Sequence, residues 1–191
     1  MILTNILTAI YQPFGFSILL SFFALFLYLY AYYPSEAGKG WKEAIKYWFI
    51  TFRNSAFFRK LFLLLFIISL ILFRTLLNRN LWMNPLSNVM GGWWFWETVN
   101  GKQQLTIENV ILMMPFTIMA MWTFGEKTEI VWKSGKIAFC FSIGIEFLQL
   151  LLRLGTFQLS DIVYNTLGGC MGGLIYQLVL KLKEKCFDKT K

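Results

Sequence analysis

Histidine is absent from this chain of 191 residues, and charge is scarce, with 10 acids against 18 Lys and Arg. The first absence excludes a histidine-based triad and every histidine-ligated metal site. Only three cysteines occur, Cys140, Cys170 and Cys186, with no ligand spacing between them, so they read as free thiols without a structural role. No P-loop, dinucleotide fingerprint, Ser-His pair or Cys-His pair is present, so neither a cofactor nor a metal is expected. The first apolar run has no Lys or Arg before it and no clear cleavage site after it, which predicts a retained span and not a signal peptide.

Apolar residues fill the place that charge leaves. The chain is 57% hydrophobic and 19% aromatic, with 20 Phe and 8 Trp. A soluble domain carries more charge and shorter apolar runs. The composition therefore predicts an integral membrane protein: an all-α, polytopic transmembrane helical bundle of about five spanning helices plus an amphipathic interfacial helix. The net charge of +8 fits the excess of Lys and Arg that cytoplasmic loops carry, and no nucleic-acid partner is expected.

Spans are expected at 14–33, 61–77, 107–124, 136–152 and 161–182, each near the ~20 residues that cross ~30 Å of hydrocarbon. Residues 1–13 either extend the first span or lie along the interface. Between the first two spans, Trp41, Ile45, Trp48 and Phe52 recur at helical spacing among Lys42, Lys46 and Arg53, which predicts an amphipathic surface helix. Four Trp, at 82, 93, 94 and 96, and the turn signals Gly91-Gly92 and Asn100-Gly101 suggest that 78–106 is a short interfacial helix or a hairpin. Thr106 is the expected cap of the third span, which Pro115 should kink. The domain division expected is 1–60 for the N-terminal span and basic surface helix, 61–185 for a four-helix transmembrane domain and 186–191 for a basic tail. Lys and Arg number six, two, three and one in the successive loops and five at the end of the chain. The cytoplasm then holds the C-terminus, and the N-terminus lies outside.

The stretch 142–173 concentrates the polar residues. Glu146, Gln149 and Arg153 fall at i, i+3, i+7, and Asp161, Asn165, Gly168 and Gly172 at i, i+4, i+7, i+11, so each set should share a helix face. With the expected topology, Glu146 lies ~10 Å and Asn165 ~6 Å below the outer ends of their spans. Arg74, Arg79, Asn84, Glu108 and Asn109 come to the same outer level. Intramembrane charge marks a functional site by default, which predicts a polar chamber open to the outside. Glu146 and Asp161 are the candidate catalytic carboxylates. Arg74, Arg79, Asn84, Asn109, Gln149, Arg153 and Asn165 are the candidate ligand-binding residues. The plainer alternative is that these groups hydrogen-bond across helices as glue, and Gly168, Gly169, Gly172 and Gly173 read as close-packing residues.

At these residues the chain resembles the VanZ-like family of membrane proteins. The resemblance rests on Asn109 with Pro115 (ENVILMMPF), Glu146 with Gln149 (IEFLQ), Arg153, and Asp161, Asn165 and Gly168 (SDIVYNTLGGCMGG), with Arg79 and NPLSN at 84–88 as an earlier element. It covers about 60–180 and leaves the N-terminal span and basic stretch outside. GTFQLS, before Asp161, has fewer acids than the family's loop, which argues against a metal site there. The family takes its name from a protein associated with teicoplanin resistance, so the resemblance implies an envelope setting and antibiotic resistance but no defined reaction. The implied partners are membrane lipid and a lipid-linked cell-wall precursor or lipoglycopeptide. The alternatives are a non-enzymatic module that assembles with a membrane partner or a second copy and, less favoured for want of internal repeats, a small-solute transporter.

Overall fold

The computed structural model describes residues 11–33, 40–93, 97–99, 102–104 and 107–188. The expected interfacial character of residues 1–10, the Thr106 cap, Trp94, Trp96 and the Asn100-Gly101 turn lie outside those residues. Among the described residues the fold is all-helical apart from one short hairpin. Its helices are α1 (Phe14–Tyr32), α2 (Trp41–Asn54), α3 (Ala56–Leu72), α4 (Ile107–Phe124), α5 (Ile130–Leu152) and α6 (Leu159–Asp188). Among the described residues, three helical stretches, Phe14–Tyr32, Ala56–Leu77 and Ile130–Leu152, are long and apolar enough to cross a membrane, and Glu108–Phe124 is a shorter apolar helix.

Along α1, Ser17, Ser21, Leu25 and Leu29 are buried at every fourth position. The two serines keep that stripe narrow against α3, and Ser21 returns its hydroxyl to the Ser17 carbonyl at 2.6 Å. The other faces of α1 present Phe, Leu and Tyr outward, as a lipid-facing helix should. Helix α2 is the expected amphipathic helix. It buries Ala44 and Trp48, and the Trp48 ring sits among those of Phe22, Phe52, Phe58 and Phe62. The turn into α3 is tight. Ser55 accepts from the Phe58 N–H as the α3 cap, while Arg59 donates to the Phe52 and Arg53 carbonyls at the C-terminus of α2.

Two helices begin earlier than their charges suggest. Helix α3 starts at Ala56 and takes in Arg59 and Lys60, and α5 starts at Ile130 and takes in Lys133 and Lys136. Lysine and arginine stems lie along apolar surface while their heads reach the interface, so basic residues do not end a helix. Helix α3 runs straight into a π-helical turn, Phe73–Leu77, closed by the Asn78 N–H on the Phe73 carbonyl at 2.8 Å. The segment after it contains the hairpin of β1 (Glu97–Val99) and β2 (Lys102–Gln104), antiparallel with Thr98 opposite Gln103.

Helix α6 is the centre of the bundle. Gly168 and Gly172 lie against α4, where an added Cβ would meet the backbone of Val110 and Met114, and Gly169 and Gly173 lie against Ala138 and Ser134 of α5. Backbones can approach this closely only where side chains are absent. Thr117 of α4 uses the proximity to donate to the Gly169 carbonyl at 3.1 Å. Helices α4 and α6 therefore run parallel, and α5 runs opposite to both. The bundle has two distinct ends. At one, residues 81–91 and 153–159 meet; at the other lie Lys60, Lys133 and Lys136.

Candidate functional site

The polar side chains collect at the end where two loops are stitched together. Leu81 and Leu154 form an isolated antiparallel bridge. Trp82 N donates to the Arg153 carbonyl at 2.8 Å, Phe157 N to that of Pro85 at 2.9 Å and Leu159 N to that of Val89 at 2.9 Å. Residues 81–91 are thus a strap laid over the α5–α6 loop. Gly91 sits with φ +70° against Ser160, at a point where a Cβ would strike the Ser160 hydroxyl.

Beneath the strap, Glu146 is 1% exposed and Gln149 2%. The Glu146 carboxylate accepts the Gln158 backbone N–H at 2.8 Å. Gln149 donates to the Thr75 carbonyl in the π turn at 2.8 Å. Asn165, one turn inside α6, donates to Ser142 of α5 at 2.8 Å. At the start of α6, half-buried Asp161 accepts from Asn109 of α4 at 2.9 Å. Arg74 pairs with Glu108 in the first turn of α4, where an acid also complements the helix dipole. The Ser160 hydroxyl is buried without a hydrogen-bond partner among the described residues.

Arg79 occupies a different position. It is exposed, its guanidinium lies along Gly155 at van der Waals distance, and its charge reaches both Glu146 and Asp161. A cation at the surface is thus within electrostatic reach of two carboxylates, one buried and one half-buried. Among the described residues, no three His, Cys, Asp or Glu side chains gather in a metal-binding group.

Several sequence-predicted residues are not brought together. Arg153 does not continue the face of Glu146 and Gln149. It is the C-cap of α5, with φ +55°, its side chain is exposed, and its contribution to the strap is a backbone carbonyl. The i, i+7 relation fails because the helix ends one residue before it. Asn84 is exposed in the strap and spends its carbonyl on Ser87. Arg74 is matched with Glu108 and not directed at the two other acids. Gln158, Thr75, Ser142 and Ser160 were not foreseen as partners. Ser142 had a signal, lying four residues before Glu146 on the same helix. Gln158 and Thr75 act through backbone groups, which side-chain identity does not reveal.

The profile of the VanZ/LLP1 family matches residues 3–180. That span takes in α1 and α2, which the motif resemblance left outside. Protein VanZ of Enterococcus faecium is 29% identical over 96 residues, covering 49% of this chain and 57% of that protein. The chain thus spans little more than half the length of this curated relative. No solved structure matches.

Proposed function

We propose, from the premise that the chain belongs to the VanZ/LLP1 family of membrane proteins, that the strap end is an outward-facing site for an amphipathic, anionic, cell-wall-related ligand. A lipid-linked precursor or a lipoglycopeptide has that chemistry. One observation carries this reading: exposed Arg79 lies within electrostatic reach of buried Glu146 and half-buried Asp161, which are held in place by their own hydrogen bonds. A guanidinium presents paired donors to a phosphate or carboxylate. The lipid-facing surface of the bundle offers an apolar track for an acyl chain. Asp161, half-buried at the mouth, would position a ligand hydroxyl or amine, while Glu146 would hold the α5–α6 loop through Gln158. Multiple crossings with the N-terminus outside and the C-terminus in the cytoplasm follow from the loop charges and put this end in the outer leaflet. The family's association with teicoplanin resistance supports the envelope setting.

A second reading is favoured by a specific observation. Arg74–Glu108, Asn109–Asp161 and Asn165–Ser142 are all satisfied between helices. That pattern fits a module whose polar groups only hold it together and which acts through a membrane partner or a second copy. Teicoplanin susceptibility and co-purified lipid, measured for Arg79→Ala and Asp161→Asn at parental expression levels, separate the two. The ligand reading expects both variants to lose resistance and bound lipid while remaining folded. Parental values for both would leave only the second reading.

A further inference from the structure

The end of the bundle away from the strap carries a cavity of about 220 Å³ between α4 and α5, lined by Met121, Phe124, Glu126, Lys133, Lys136 and Ile137. Its floor is apolar and its rim is charged. Lys133 is matched with Glu126 at 2.6 Å, so this pair contributes little net charge. Lys136 stands 4.9 Å above the exposed Trp132 ring, and its ammonium has no carboxylate within ion-pair distance among the described residues. On the neighbouring helix, Lys60 stands 4.9 Å above the half-exposed Trp122 ring and donates to the Trp122 carbonyl at 3.4 Å. Lys136 thus stands on a tryptophan face at the edge of the apolar opening, and Lys60 on the face of the ring next in sequence to the lining residue Met121.

The lining disfavours water, since a water needs several polar partners and the floor offers none. At roughly 30 Å³ per water, the volume suits a short stretch of acyl chain. An isolated free anion would find charge at the rim but no reason for the apolar recess. Basic pockets between helices on the cytoplasmic side bind anionic head groups. We propose that this cavity is a binding site for an anionic phospholipid of the inner leaflet. The phosphate sits on Lys136, and an acyl chain enters over Phe124 and Ile137. The site is separate from the strap end, and its leaflet rests on the orientation taken under the proposed function.

The test uses the full chain in nanodiscs of mixed phosphatidylglycerol and phosphatidylcholine, with retained lipids counted by native mass spectrometry. The parent should retain phosphatidylglycerol above its share of the mixture. Lys136→Gln should lower the ratio of the two retained lipids about fivefold, the effect of one surface cation on anionic lipid. Ile137→Trp, which fills the recess and leaves every charge in place, should lower it as well. Lys185→Gln, an exposed cation farther along α6, should leave it at the parental value. Parental ratios in both cavity variants, or an equal loss in Lys185→Gln, would overturn the site. Displacement of the lipid by millimolar inorganic phosphate would overturn the lipid in favour of a free anion.

Discussion

Arg74 and Glu108 pair with their side chains 25% and 11% exposed, and the energetics of such a pair are lopsided. Losing one partner of a fully buried pair costs about 3–5 kcal/mol, the ceiling for this partly exposed one, whereas replacing both with apolar residues of similar size is close to neutral. Arg74→Met alone should therefore lower the melting temperature in detergent, and the double variant Arg74→Met/Glu108→Leu should recover most of it. If the double variant also keeps the resistance proposed above, the pair is structural, and the proposed ligand cation is Arg79. The sequence shows that acids and bases share one level but not who pairs with whom. Arg74 and Arg79 look equivalent as letters, yet one meets Glu108 and the other stands at the surface. Arg153 misleads for a geometric reason: helical spacing holds only while the helix continues, and a left-handed cap turns the next side chain away.

The π turn at Phe73–Leu77 places one more residue in its turn than an α-helix would, because its closing hydrogen bond spans five residues. Everything after it is rotated by the angle of one residue, about 100°. That rotation leaves the Thr75 carbonyl where Gln149 can reach it and sets Arg79 and the strap over the α5–α6 loop. Deleting Leu76 should restore an ordinary helix and swing the strap away. Cysteines at 81 and 154 report this directly, because an antiparallel bridge brings the two backbones to about 5 Å, within disulfide range. They should crosslink in the parental background and fail to do so after the deletion. Nothing in FRTLL announces a π turn, since its composition is that of any apolar helix end. The existence of α1 through α6 was legible from hydrophobic runs and the 3.6-residue period. The starts of α3 and α5 were not, because snorkelling lysines and arginines look like loop residues.

Across the whole molecule, the charge bias and the alternation of helix directions support one orientation. A membrane-impermeant maleimide should label Asn84→Cys in intact cells and Lys185→Cys only after permeabilisation, in a background where the three native cysteines are Ser. The reverse pattern would put the strap and Arg79 in the cytoplasm and remove the outward site. The central position of α6 has a consequence for how the protein is made. With Asp161, Asn165 and four glycines in its first half, α6 is not among the helices apolar enough to cross a membrane by themselves. Asp161 and Asn165 bond to α4 and α5, and its glycines lie against the same two helices. Stable insertion of α6 should therefore depend on α4 and α5, and a chain cut short before α6 would leave the faces of α4 and α5 that meet its glycines uncovered.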